Sequence, residues 1–135
     1  MTRRRALMAR VESEPGELYP VGTNIVANII FTPNTSLDNN GDIITNNNVA
    51  AESDYIPVNP NYTYERLNRI YAMCSYDANK NFVGTKYVSN TVGTYVLPSS
   101  AIDSRAKYIR VATHTAYLNR DNTAAEGAFY IKRVS

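Results

Sequence analysis

The hydrophobic positions of this chain come in short runs, each of which is closed by Pro, Asn, Asp or Gly. Within the runs, β-branched and aromatic residues are frequent, as expected of strands. The residues that close the runs favour tight turns between antiparallel strands. About eight strands are expected, and nine segments are candidates for them: 24–32, 43–45, 55–58, 62–64, 69–76, 82–88, 91–97, 107–115 and 127–134.

Several short strands joined by turns predict an all-β fold, and their close spacing indicates an antiparallel β-sandwich. The length of 135 residues fits one domain. We assign the sandwich domain to residues 24–135. Residues 1–23 are predicted to form a basic, extended N-terminal arm, since Pro15 and Pro20 break any long helix there. Residues 46–53 are expected to be a loop.

The predicted strand 107–115 separates two kinds of side chain, because alternate residues of a strand point to opposite faces. Ile109, Val111 and Thr113 form the expected core face. The other face combines an aromatic ring, a guanidinium and an imidazole, which is unusual for a sheet surface that binds no ligand or partner. Its members are Tyr108, Arg110, Ala112 and His114.

This polar and aromatic face suggests a sugar-binding site. A pyranose needs flat aromatic faces for its C–H side and planar polar groups for its hydroxyls. If their strands are neighbours on one face, the expected glycan-binding residues are Tyr71, Tyr87, Tyr108, Arg110 and His114. The alternative is that the tyrosines only cover the sheet, while Arg110 makes a structural ion pair with an acid such as Asp103 or Glu126.

The charge of the chain is unevenly distributed, although the net charge is only +2. Four arginines lie in the first ten residues, so the remaining ten basic and twelve acidic residues leave a balance of −2. This is not the broad basic face of a nucleic-acid reader, and no nucleic-acid partner is expected. The arm either docks on an acidic groove of a neighbouring subunit or is a disordered tail that aids solubility. The residues expected to contact a partner are Arg3, Arg4, Arg5, Leu7, Met8 and Arg10.

Few residues could support catalysis or hold a metal. Cys74 is the only cysteine, and we expect it to be a buried, inert thiol inside a strand. His114 is the only histidine, so zinc is not expected. The Asp/Asn clusters at 38–42 and 77–81 are interpreted as turns; in the second, Phe82 stands where a calcium loop needs Gly. No enzyme activity, cofactor or metal is predicted.

Targeting signals are also sparse. The arginine-rich start is like the first part of a signal peptide, but the apolar stretch 6–9 ends at Arg10. No segment has the length of a membrane span. We therefore expect synthesis in the cytoplasm, no signal peptide and no membrane partner.

Four segments, 54–58, 62–64, 76–82 and 106–111, carry a resemblance to a known family. They resemble the jelly-roll modules of tail, baseplate and fibre proteins from phages of Gram-positive bacteria, which are similar to carbohydrate-binding modules. The segment 3–9 also resembles the start of short structural proteins of such phages. The resemblance covers roughly residues 24–135 and, more weakly, the arm.

The resemblance implies a sandwich of the jelly-roll type and a place in the virion, as a decoration, tail or baseplate component. It implies that the arm contacts other virion proteins, that the sandwich contacts host cell-surface polysaccharide, and that the subunit is a homo-oligomer. The alternative is a purely architectural capsid or tail subunit that binds no glycan.

Overall fold

The computed structural model describes residues 17–46 and 49–135. These residues form eleven β-strands, with 3₁₀ turns at Ser99–Ala101 and Thr115–Tyr117. The strands are β1 (Phe31–Pro33), β2 (Thr35–Leu37), β3 (Ile43–Thr45), β4 (Ala50–Ser53), β5 (Ile56–Pro57), β6 (Tyr64–Leu67), β7 (Ile70–Tyr76), β8 (Phe82–Ser89), β9 (Thr94–Val96), β10 (Tyr108–His114) and β11 (Tyr130–Arg133).

The strands form two main sheets with antiparallel pairing throughout, so the predicted all-β antiparallel sandwich is confirmed. The large sheet has the order β1-β4-β10-β7-β8, and β5 also pairs with β10. The small sheet has the order β11-β6-β9. Strands β2 and β3 form a separate hairpin.

The main core lies between the two sheets. Met73, Ile109 and Val111 come from the large sheet, Tyr64 and Ile131 come from the small one, and all five belong to a single buried cluster. The removal of this apolar surface from water is the dominant favourable term in folding. The side of the large sheet that faces away from the small sheet is called its outer face below.

A second, smaller core lies on the outer face, under the β2–β3 hairpin. Leu37 of the hairpin is buried in one cluster with Ala72, Tyr76 and Ala112 of the sheet. The Tyr76 hydroxyl donates a hydrogen bond of 2.6 Å to the carbonyl of Gly41. The hairpin therefore acts as a lid, and both faces of the central strands are buried.

The first predicted strand, 24–32, is mostly not a strand. Asn24 makes an isolated bridge to β11 and Ile30 makes one to the loop after β10. The chain between them is turned, with Asn28 in the left-handed region at φ 64°. This apolar run carries the chain from the small sheet to the large one, and between Asn24 and Ile30 its buried side chains are Ile25 and Val26.

Strand β4 lies where a loop was predicted at 46–53. It pairs with β1 on one side and β10 on the other, and all four of its residues are buried. Ala, Glu and Ser have low strand propensity, and a strand covered on both faces need not alternate. The segment therefore lacks both high strand propensity and an alternation of hydrophobic and polar residues.

Candidate functional site

Strand β10 has the alternation that the sequence predicts. Ile109 and Val111 are fully buried in the core between the sheets. Thr113 is also buried, and its hydroxyl donates to the carbonyl of Arg69 at 2.7 Å. The outer side of β10 is not an open surface, because Ala112 is completely buried in the cluster that contains Leu37.

Arg110 lies in this covered region and is 8% exposed. Its Nη2 donates to Oε1 of Glu52 at 3.0 Å, and its guanidinium lies 4.6 Å from the centre of the Tyr55 ring. The predicted alternative of a structural ion pair is therefore present. Its partner is neither Asp103 nor Glu126, because β4 brings Glu52 onto the same face of the sheet.

Glu52 is only 5% exposed. Burial raises the pKa of its carboxyl, and the Arg110 guanidinium and the Thr32 hydroxyl oppose that rise. The neighbouring Asp54 carboxylate raises it further. Glu52 and Arg110 thus form a largely desolvated pair, in which each charge depends on the other.

Tyr108 lies at the end of the outer face where β10 begins. Its ring is half-buried and meets the Tyr55 ring edge-on, with 6.1 Å between the ring centres. The ammonium group of Lys80 lies 5.1 Å from the Tyr55 ring centre and 5.4 Å from that of Tyr108. These two rings are therefore already in contact with a cation and with each other.

Tyr71 and His114 lie together at the opposite end of the outer face. Their rings stack with 5.9 Å between centres, and both residues are half-buried. The register shift between Ile70 and Met73 puts an extra β7 residue opposite β8 and allows this contact. The Nδ1 atom of His114 accepts a hydrogen bond from the Ala116 amide at 3.0 Å, which orients the imidazole.

Tyr87 is on the other face of the large sheet. It pairs across the strands with Met73 and packs against the core between the sheets. The five nominated residues thus do not form one surface. Tyr87 faces inward, Arg110 is buried in an ion pair, and Tyr108 and the Tyr71–His114 pair lie at opposite ends.

An open groove lies where Arg110 and Glu52 reach the surface near β1. It has a volume of about 570 Å³ and combines carboxylates with exposed isoleucine surface. We call it the Glu52 groove. Of its lining residues, the sequence predicted only Arg110 as part of a site, because most of the others come from the predicted strand 24–32 and the predicted loop 46–53. Its lining residues are Asn28, Ile29, Ile30, Thr32, Glu52, Asp54 and Arg110.

A smaller cavity of about 270 Å³ lies at one end of the sandwich, beside Tyr62 and Tyr64. The guanidinium of Arg133 lies 3.5 Å from the centre of the Tyr62 ring, and the Tyr62 hydroxyl accepts a hydrogen bond from the Leu18 amide. One face of the Tyr62 ring is therefore covered by Arg133, which leaves less ring surface for a sugar to stack on.

The Asp/Asn clusters are turns in which an aspartate caps backbone amides. One carboxylate oxygen of Asp38 accepts from Asn40 and Asp42, and one of Asp77 accepts from Asn79 and Asn81, all at 2.8–3.0 Å. These backbone hydrogen bonds lower the pKa of Asp38. In the described part of the chain, no three His, Cys, Asp or Glu side chains come together as a metal site.

Cys74 is buried on β7, as expected, and burial raises the pKa of its thiol. A thiol with a raised pKa is a poor nucleophile at neutral pH.

The arm residues nominated as partner contacts lie outside the described residues. These are Arg3, Arg4, Arg5, Leu7, Met8 and Arg10. The later part of the arm packs on the sandwich, since Glu17 forms an ion pair with Arg133 and the Tyr19 hydroxyl donates to the carbonyl of Pro57. Burial raises the pKa of Tyr19 to about 12.

Two of the four outer strand edges are covered by other parts of the chain. Residues 22–25 make backbone hydrogen bonds to the edge of β11. The edge of β1 carries Pro33, which has no amide hydrogen, and the Phe31 amide is bonded to the carbonyl of Asn122.

The outer edges of β8 and β9 have no strand beyond them among the residues described. We call the side of the sandwich that carries these two edges the open side. At one end of β8, the Arg105 guanidinium donates a hydrogen bond to the carbonyl of Val83. Elsewhere on the open side, large apolar side chains are exposed. Four large side chains of segment 88–96 are 47–58% exposed, namely Val88, Val92, Tyr95 and Val96.

No family model, curated protein or solved structure matches the chain. Among the described residues, no helix is long and apolar enough to cross a membrane.

Proposed function

We propose that the protein is a structural subunit of a phage particle, and that its sandwich packs against its own copies through the open side. The observation that carries the self-assembly is the contrast between the strand edges. Two edges are closed by residues 22–25 and by the contacts of β1, whereas those of β8 and β9 have no strand beyond them among the described residues and lie beside the exposed apolar side chains of segment 88–96.

Two properties of the open side favour contact with another copy. An unpaired strand edge exposes backbone donors and acceptors that can pair with another chain, and monomeric proteins usually protect such edges. Contiguous exposed apolar surface also favours a binding role. An interface between identical copies would cover both features by one symmetric contact. The place in a phage particle is supported by the resemblance of segments 54–58, 76–82 and 106–111 to phage modules.

The test is the mass of the purified chain over a range of concentrations, measured by sedimentation. We expect the wild type to associate, and we expect Val88→Lys with Val96→Lys to weaken the association at least about tenfold, because buried lysines would be left unpaired. Val21→Lys is the matched control, since Val21 is 61% exposed, against 50% for Val88 and 58% for Val96, but lies next to the segment that bonds to β11. A wild type that stays monomeric at all concentrations would refute self-assembly. Detection of the chain in purified particles tests the place in the virion.

Glycan binding is the second candidate, and the stacked Tyr71–His114 pair favours it. This pair offers partly exposed ring surface of the kind that stacks on sugar C–H groups. A pull-down with Gram-positive cell-wall polysaccharide tests it, with Tyr71→Ala beside Tyr95→Ala, an exposed tyrosine on the open side. Loss of binding in the first variant alone supports a glycan site at this pair. Absence of binding by the wild type refutes it.

A further inference from the structure

The Glu52 groove combines two features that rarely occur together on a surface without a partner. The side chain of Ile30 is 59% exposed, and the carboxylates of Glu52 and Asp54 lie beside it. The volume of about 570 Å³ is in the range of cavities that hold a small ligand or part of a peptide. An occupant must therefore present apolar and polar groups close together.

The charge of the groove favours a cation. Arg110 neutralises Glu52 through the 3.0 Å ion pair, which leaves Asp54 as the uncompensated charge. Asp54 is exposed, its Oδ1 accepts only the adjacent Tyr55 amide, and it makes no ion pair within the described residues. A guanidinium matches this site well, because it can make two parallel hydrogen bonds to one carboxylate.

The chain itself contains a segment with the required chemistry. Residues 3–5 are three consecutive arginines, residues 6–8 are Ala, Leu and Met, and residue 10 is again arginine. No other segment of the sequence combines so dense a positive charge with adjacent apolar side chains. Arginine can pair with Asp54 while Leu7 or Met8 covers Ile30.

We infer that the Glu52 groove binds the N-terminal segment 3–10 of a neighbouring copy, an inference that rests on the self-assembly proposed above. The segment and the groove are different surfaces, so each copy gives one contact and receives one. Such a contact links copies head to tail and closes into a ring or extends into a filament. It is separate from the open side, which would pair with itself.

The experiment uses the full chain with Val88→Lys and Val96→Lys, which removes the proposed open-side contact and isolates the contact of the segment. We expect this parent to retain weaker association by sedimentation. Addition of Asp54→Lys should raise its Kd at least about tenfold, as expected for a lost charge-assisted contact. Arg3→Glu, Arg4→Glu and Arg5→Glu together should do the same. Asp42→Lys, at an exposed aspartate of the hairpin, is the control that should leave the Kd unchanged.

The decisive step is to mix the two charge-reversed chains in equal amounts. Lysine at position 54 of one chain then meets glutamates in the segment of the other, while the unchanged Asp54 groove of the second chain meets the unchanged arginine segment of the first. Both contacts are attractive, so we expect association to recover. No recovery, or no effect of Asp54→Lys, overturns the inference. So does a parent that is fully monomeric while the wild type associates, a result that leaves the open-side proposal standing. A parent that associates as strongly as the wild type refutes the open-side contact instead.

Discussion

The Arg110 guanidinium is held in place by three residues, Glu52, Ser53 and Tyr55. Glu52 accepts from it at 3.0 Å, the Ser53 carbonyl and the Tyr55 hydroxyl lie 3.4–3.5 Å away, and the Tyr55 ring lies against its plane. The side chain that looked most suited to a ligand is thus largely used by the fold. Arg110 compensates the buried charge of Glu52, and only a small part of the Arg110 side chain is exposed in the Glu52 groove.

At the residue scale, we predict that Arg110→Met lowers the free energy of unfolding by about 3 kcal/mol, because it leaves the Glu52 charge buried without a partner. The double variant with Glu52→Gln should lose clearly less than the sum of the two single variants. Urea unfolding followed by circular dichroism measures all three. Arg105→Met is the control: its partner is Asp103, but the Arg105 side chain is 66% exposed, so we expect only a small change. If the loss in the double variant equals the sum of the losses in the two single variants, Arg110 and Glu52 are not a coupled ion pair.

At the scale of elements, the β2–β3 hairpin determines which part of the outer face is accessible. Gly41 in its turn has φ 75°, and a Cβ there would lie 2.7 Å from the Phe82 ring, so a larger residue would clash. The hairpin therefore sits tightly against β8. By covering the middle of the face, it separates Tyr108 from the Tyr71–His114 pair.

We predict that Leu37→Ala lowers the free energy of unfolding by about 2–4 kcal/mol, because Leu37 is fully buried under the hairpin. Amide hydrogen exchange should also accelerate more in the β2–β3 hairpin than in β6 and β11. Ile44→Ala is the matched control on the same hairpin, since Ile44 is 41% exposed and should matter little. Equal losses for the two variants would mean that the hairpin is not a lid.

At the scale of the whole molecule, distant segments close the sandwich. Residues 22–25 extend the small sheet beyond β11, and the Tyr19 hydroxyl donates to the carbonyl of Pro57, in β5 of the large sheet, at 2.6 Å. The segment that ends the predicted arm thus joins both sheets. These contacts leave the β8–β9 side as the open one.

Stability at alkaline pH should report on this closure. The pKa of Tyr19 is raised from 10.0 to about 12 by burial, so the folded state keeps its proton longer than the unfolded state. Tyr19 therefore contributes stability that is complete below pH 10 and lost as the pH rises through 12. We predict a smaller loss in this window for Tyr19→Phe than for the wild type, by urea unfolding at each pH. Tyr95→Phe, at an exposed tyrosine, should behave like the wild type.

Local patterns predicted much of this fold. The β-branched and aromatic runs located most of the strands, with β7 at 70–76 close to its predicted bounds of 69–76. The Asp38 and Asp77 turns, the burial of Cys74 and the core side of β10 also agree with the sequence. Each of these depends on residues within a few positions of one another, through backbone propensity, side-chain capping or period-2 alternation.

The candidate site depended on contacts that no local pattern contains. Glu52 became the partner of Arg110 because β4, a strand without a strand signal, pairs with β10 across 58 positions of sequence. The hairpin covers the outer face, and the bulge in β7 brings Tyr71 to His114, through long-range packing alone. The sequence by itself therefore determined the all-β class, the turns and the alternation of β10. Only the tertiary structure decided which face is covered, which charges meet and which edge stays open, because these depend on pairing between distant segments.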